Sequence, residues 1–255
     1  MQSFRYLESA YAIPDAKAAA YRDAWDYLAG PGSWWTGAQR IAIAEATRAA
    51  VECPLCQQRA AALSPYTIDG EHTPAAGTSA DAPLLPARFV DAVHRIRTDP
   101  ARLTGPWVDS LIDHEFGYGH YVELISVIAT LISIDSFHEV LGIPLEPLPA
   151  ARPGFPDRYR PPGAAIDVAW VPMIYPQNLT DAEADIYFGS AQTGNVIRAL
   201  SLVPEAVRKL HSVSAVQYLP TPQIMDMSAS GSLSLTRPQT ELVAARTSAL
   251  NDCFY

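Results

Sequence analysis

Cysteine is scarce in this 255-residue chain, with three in all, which excludes a scaffold built on disulfides. Charge is sparse too, at 18% of residues, and the basic kind is the rarer: 18 Lys and Arg against 27 Asp and Glu. The resulting net charge of −9 excludes a general binder of nucleic acid or of anionic membrane, either of which needs a basic surface. The opening Met1-Gln2-Ser3-Phe4-Arg5-Tyr6 has no apolar signal core. The greasiest run, Leu124 to Ile134, is too short to span a bilayer and contains Ser126 and Thr130. A cytoplasmic protein without a membrane partner is therefore expected. Strand signal is thin, with weak alternation only at 166–171 and 213–218.

What remains is the composition of a globular core, 49% hydrophobic, enough for one large domain or two small ones. The reading is all-α. Asp15 opens a helix that runs to Tyr27 and stops at Gly30-Pro31-Gly32, and Thr36 caps a second that reaches about Val51. Residues 63–86, rich in Ala, Pro, Gly and Ser, read as a long loop. Helical patterns follow at 87–97, 105–115, 119–141, 181–201, 204–213 and 236–251. The proline-laden stretch 143–175 cannot be one helix and reads as a linker or ordered strap. The helix at 119–141 is apolar nearly all round, as a core helix is, and its last turns carry Asp135 and His138 on one face. That pair either satisfies itself at the helix end or lines a site.

A shift of 200 residues lays the segment Thr36–Cys53 on Thr236–Cys253. Thr36/Thr236, Gln39/Gln239, Ala44/Ala244, Thr47/Thr247, Ala49/Ala249 and Cys53/Cys253 are identical, without gaps. Each copy is a helix that runs into a cysteine. In the first, Pro54-Leu55-Cys56 follows, and proline in the first turn of a new helix puts Cys53 at or near its N-cap. There, unpaired N–H groups and the helix dipole favour a thiolate, while burial and nearby Glu45 and Glu52 oppose it.

Glu-x11-Cys-x-x-Cys-x-x-x-His is the pattern of the alkylhydroperoxidase D and carboxymuconolactone decarboxylase superfamily, and the two segments resemble it in parts. The first copy has Cys53 and Cys56, with Ile41 and Ala60 where the family has its Glu and His. The second has Glu241 and Cys253 in the family spacing. Asn195–Leu200 with Pro204-Glu205 resembles the family's helix before the motif, and helix 119–141 its closing helix. The resemblance implies a duplicated helical domain: a first unit at 1–146, a Pro-rich strap at 147–180, and a second unit at 181–255 that ends before its expected second Cys. It also implies a self-associating, thiol-dependent peroxidase with a hydroperoxide substrate, a thiol or dithiol reductant and no cofactor. In that chemistry Cys56 attacks and Cys53 resolves, although the residues themselves do not separate these roles.

With Ile41 lacking a carboxylate, Glu45, one turn on, is the candidate substitute base. His72, His120 and His138 are the histidines expected to fold back toward the pair, while His114 and His120 also read as surface or capping residues. Cys53 and Cys56 have zinc spacing and His72 could add a third ligand, but no second C-x-x-C or H-x3-H completes a set, so no metal is expected. Two other readings stay open: a non-redox lactone decarboxylase or isomerase, and a binding or assembly protein that has lost catalysis.

Overall fold

The computed structural model describes residues 3–74, 84–230, 234–251 and 253. Its helices are α1 (Asp15–Ala29), α2 (Gly37–Ala49), α3 (Pro54–Ala61), α4 (Ala87–Thr98), α5 (Gly105–Leu111), α6 (Tyr118–Leu141), α7 (Asn195–Arg198), α8 (Pro204–Gln217) and α9 (Arg237–Leu250). The described strands are a two-residue antiparallel pair, β1 (Ala164–Ala165) with β2 (Met173–Ile174), so the chain is essentially all-α.

The helix ends follow from the sequence. The Thr36 hydroxyl accepts the Gln39 N–H at 3.3 Å, and Gln39 Oε1 accepts the Thr36 N–H at 3.0 Å, a capping box that opens α2. Thr236 and Gln239 build the same box on α9. Pro54 occupies the first turn of α3. Gly142 ends α6 in the left-handed region, at φ 66°.

α6 is long and apolar enough to cross a membrane by length and composition alone. Here it is the central helix. Its Leu124, Val127, Ile128, Leu131 and Ile134 are buried in one cluster with Tyr21 and Trp25 of α1, Ile43 of α2, Phe89 and Val93 of α4, and Val213 of α8. A second cluster joins Tyr121 and Val122 at the start of α6 to Val108 of α5, Met173 and Ile174 of β2, and Val203 and Val207. Between α2 and α6 lies a fully buried ion pair, Arg40 Nε to Glu123 Oε1 at 3.4 Å. Arg40 also donates to the carbonyls of Tyr27 and Gly30 and stacks on the Tyr27 ring, and Glu123 Oε2 accepts the Trp34 N–H at 2.7 Å. Gly32 makes room for this carboxylate: a Cβ there would stand 1.8 Å from Glu123 Oε1.

The segment after α6 is extended and bound to α1 and the turn beyond it. Trp25 Nε1 donates to the Pro147 carbonyl at 2.9 Å, the Arg152 N–H to Ala29 at 2.7 Å, and the Arg158 N–H to Ser33 at 2.9 Å.

Several expectations need correction. Residues 213–217 are helical, because Val213 and Val216 lie on one stripe of α8 against the first cluster. The alternation at 166–171 forms no strand, since β1 and β2 lie on either side of it. Residues 181–189 are turns, with Phe188 and Gly189 at positive φ, 190–194 are irregular, and only the short α7 survives from that expected helix. His120 is no surface residue. It is 3% exposed and accepts the Gly117 N–H on Nδ1 at 3.1 Å, so it does cap α6.

Burial first, and the Arg158 guanidinium at 2.7 Å from its Nε2 second, hold His120 neutral down to about 4. The Gly117 backbone and then Asp113 work the other way. A histidine whose folded pKa is depressed binds its proton more readily in the unfolded chain, so folding loses stability as pH falls from about 6.5 toward 4. The expected loss is roughly 3 kcal/mol at pH 4. Urea midpoints from pH 4 to 8 should fall less steeply for His120→Gln than for the unsubstituted chain; parallel curves would reject the assignment.

Candidate functional site

Cys53 is buried at the N-cap of α3, where the 50–52 turn breaks into the new helix, and Cys56 is buried one turn on. The two therefore face the same side of the helix start. Neither is in a disulfide. Leu55 and the half-buried Ile68 complete this small cluster.

Two histidines meet the sulfurs. His72, on the segment that returns after α3, places Nδ1 at 3.6 Å from Cys53 Sγ and 3.7 Å from Cys56 Sγ. His94 reaches in from α4, with Nδ1 at 3.3 Å from Cys56 Sγ. The rings lie 4.1 Å apart, centroid to centroid. The next amide, Thr73, donates to Cys53 Sγ at 3.5 Å.

Asp91, one turn before His94 on α4, holds the outer side of His72, with Oδ1 at 2.9 Å from Nε2. Arg59 of α3 donates to the same oxygen at 2.5 Å, and Arg95 to the other at 2.7 Å. Burial pushes the Asp91 carboxyl up, but bonds from His72, Arg95 and Arg59 outweigh it and keep it well below the usual carboxylate range. Arg59 also donates to the Ile68 carbonyl at 3.0 Å, tying α3 to the returning segment that carries His72.

The two thiols are set apart. Burial raises Cys53, yet the Thr73 amide, the Cys56 amide and His72 together bring it down to about 6. Burial, with the neighbouring Cys53, pushes Cys56 up to about 11. Of the pair, only Cys53 is thus brought below a free cysteine. His94 is held neutral down to about 4, by burial first and by His72 second.

Beside this group, between α2, α4 and residues 69–74, the described residues line a half-open cavity of about 800 Å³. Its polar lining includes Arg59, His72, Asp91, His94 and Arg95, and α2 turns Ala42 and Ala46 toward it.

Of the residues singled out from sequence, Cys53, Cys56 and His72 come together. Glu45 is half-buried on α2 but forms no hydrogen bond or ion pair with either cysteine and is not part of the cavity wall. His138 is buried against Phe4 and Tyr6, with Nδ1 at 2.8 Å from the Pro144 carbonyl. Its expected partner Asp135 forms a two-pronged pair with Arg48 instead, at 2.8 Å for each contact. His114 is exposed, as is Glu52. Glu241 bonds to Arg237 and Tyr218 on its own side of the molecule, and Cys253 is exposed. No hydrogen bond or ion pair among the described residues joins Glu241 or Cys253 to the Cys53–Cys56 pair.

His94, Asp91, Arg59, Arg95 and Thr73 went unread. A signal existed for two of them. On α4, Phe89, Ala92, Val93 and Ile96 form an apolar stripe, and Asp91 and His94, three residues apart, share the opposite face. An acid and a histidine spaced i,i+3 on one helix face are the same signal that Asp135 and His138 give on α6. The chain matches no family model, no curated protein and no solved structure.

Proposed function

We propose that this chain is a thiol-dependent oxidoreductase that reduces organic hydroperoxides through Cys53 and Cys56. One observation carries the reading: two cysteines at a helix start share a histidine whose far nitrogen is held by a carboxylate, beside a cavity large enough for a small organic substrate. That is the arrangement of nucleophile, base and orienting acid that thiol chemistry needs. The resemblance of the Cys53-Pro54-Leu55-Cys56 segment to peroxidatic members of the alkylhydroperoxidase D superfamily points the same way.

Cys53 takes the part of attacking thiol. It stands at the α3 N-terminus and receives the Thr73 amide, so a thiolate is stabilised there by fixed dipoles. This reverses the order that the family resemblance implies. His72 accepts the Cys53 proton on Nδ1, while Asp91 keeps the other proton on Nε2. The thiolate attacks the outer oxygen of the hydroperoxide, the O–O bond breaks, and the alkoxide leaves with the proton from His72 as an alcohol. Cys53 is then a sulfenic acid. Cys56 attacks that sulfur and its proton passes to the departing hydroxide; the disulfide forms and water leaves. An external dithiol returns both electrons.

Stopped-flow mixing of reduced, metal-free protein with cumene hydroperoxide is the direct test. Two thiols should disappear and one disulfide appear per hydroperoxide consumed. The rate should exceed that of free cysteine by about 10²-fold or more, the scale of positioned acid–base assistance. A rate equal to free cysteine would overturn the reading.

A further inference from the structure

We infer that the reduced protein binds one zinc ion on Cys53 Sγ, Cys56 Sγ, His72 Nδ1 and His94 Nδ1. The four ligand atoms all lie within 4.8 Å of one another. Zinc holds sulfur at about 2.3 Å and imidazole nitrogen at about 2.0–2.1 Å, so a tetrahedron has S···N edges of about 3.6 Å. Three of the four S···N distances at this site are 3.6, 3.7 and 3.3 Å, and the fourth, from Cys53 Sγ to His94 Nδ1, lies within the same 4.8 Å. Four groups from three separate pieces of chain thus stand near the spacing that a zinc tetrahedron requires.

The surroundings suit an ion as well. Asp91 takes the outer nitrogen of His72, the carboxylate–histidine arrangement that orients a metal-bound imidazole and raises its basicity. Arg59 and Arg95 fix that carboxylate in turn. All four ligand residues are buried or nearly so, which strengthens binding and slows exchange with water. Two thiolates and two imidazoles select zinc over calcium or magnesium, which take oxygen. With four protein ligands no position stays open for water, so the ion would hold structure or cover the sulfurs rather than activate a substrate. The set escapes the sequence patterns because its histidines are 22 residues apart, on a loop and on α4.

A consequence for regulation rests on the dithiol reading above. Zinc bound to both sulfurs occupies the electron pairs that would attack a hydroperoxide. Oxidation then requires release: two zinc-bound thiolates, one hydroperoxide and two protons give a disulfide, an alcohol, water and free zinc. Zinc would keep the dithiol silent until it is removed or out-competed.

Reduced, metal-stripped protein titrated with cobalt(II) reads the site without reference to turnover. One equivalent should give the d–d bands of tetrahedral cobalt and a thiolate-to-cobalt charge-transfer band, both abolished by one equivalent of zinc. Cys56→Ser and His94→Ala should each lose the tetrahedral spectrum. His94→Ala opens a hole in α4, so His72→Ala, on the returning loop, is the second variant, with helix content checked by circular dichroism. A missing charge-transfer band, or a tetrahedral spectrum that survives in a folded His72→Ala chain, overturns the metal site. Stoichiometric zinc should also slow hydroperoxide oxidation of the unsubstituted chain by at least about tenfold and leave His72→Ala unprotected; full-speed oxidation with zinc bound overturns the masking. The dithiol reading fails separately, if metal-free protein is inert to hydroperoxide while the cobalt spectrum is intact.

Discussion

Arg40→Met is expected to destabilise the fold by about 3–5 kcal/mol, the cost of breaking a buried ion pair from one side. Arg40 and Glu123 are both fully buried between α2 and α6. Removing the guanidinium strips Glu123 of its counter-charge and takes one donor from each of the Tyr27 and Gly30 carbonyls. Burial already raises the Glu123 carboxyl above its ordinary value, with Arg40 opposing that rise. Without Arg40 the rise is larger. A carboxyl whose folded pKa is raised stabilises the fold below its unfolded pKa and loses that contribution as pH climbs. The damage from Arg40→Met should therefore grow from pH 5 to pH 8. Guanidinium melts at several pH values check this, and a loss under about 1 kcal/mol at pH 8 would show that the pair is not what holds α2 to α6. The double change Arg40→Met with Glu123→Leu should recover much of the loss, because apolar groups of similar volume need no counter-charge.

The second large effect is chemical. With Cys53→Ser, consumption of hydroperoxide should fall by about 10²-fold or more, to the rate of an unassisted thiol. With Cys56→Ser, the first oxidation should continue, but with no resolving thiol the Cys53 sulfenic acid should accumulate and be trapped by dimedone. Mass spectrometry of the trapped adduct separates the two roles. An adduct on Cys56 in the Cys53→Ser chain, and none on Cys53 in the converse variant, would exchange them. Cys253→Ser and Glu241→Gln should leave the rate unchanged, since both residues lie outside the group around Cys53.

What sequence could reveal tracks how local each feature is. Thr36 with Gln39, Pro54 after Cys53, and the Gly30-Pro31-Gly32 stop act within one turn of chain, so α1, α2 and the start of α3 were legible, as was α6 from its apolar character. The resemblance between Thr36–Cys53 and Thr236–Cys253 extends to identical capping boxes. Beyond the caps their settings differ: α2 is buried through much of its length, whereas on α9 only Arg237 and Thr240 are buried. The site was half legible. C-x-x-C at a helix start is a local signature. The arrival of His72 is not, because it depends on Arg59 gripping the Ile68 carbonyl and so setting where the chain returns. His94 depends on the packing of α4 against α3, which no periodicity states. The readings of 213–218 and 181–201 failed for the same kind of reason, since β-branched residues on α8 serve a helix stripe and turns at 188–189 interrupt what composition allows.

α3 spans only Pro54–Ala61 and would not persist as a free peptide. Its far end is held by Arg102, whose guanidinium donates to the carbonyls of Arg59, Ala60 and Ala62 while Asp99 steadies its Nε at 2.8 Å. The nearness of the two sulfurs is thus produced by the fold, as a high effective concentration of one thiol at the other. Such coupling is reciprocal. Whatever free energy folding would contribute to closing a Cys53–Cys56 bond, that bond would return to the fold, so the gain in resistance to unfolding on closing it and the help that folding gives to its closure are a single quantity.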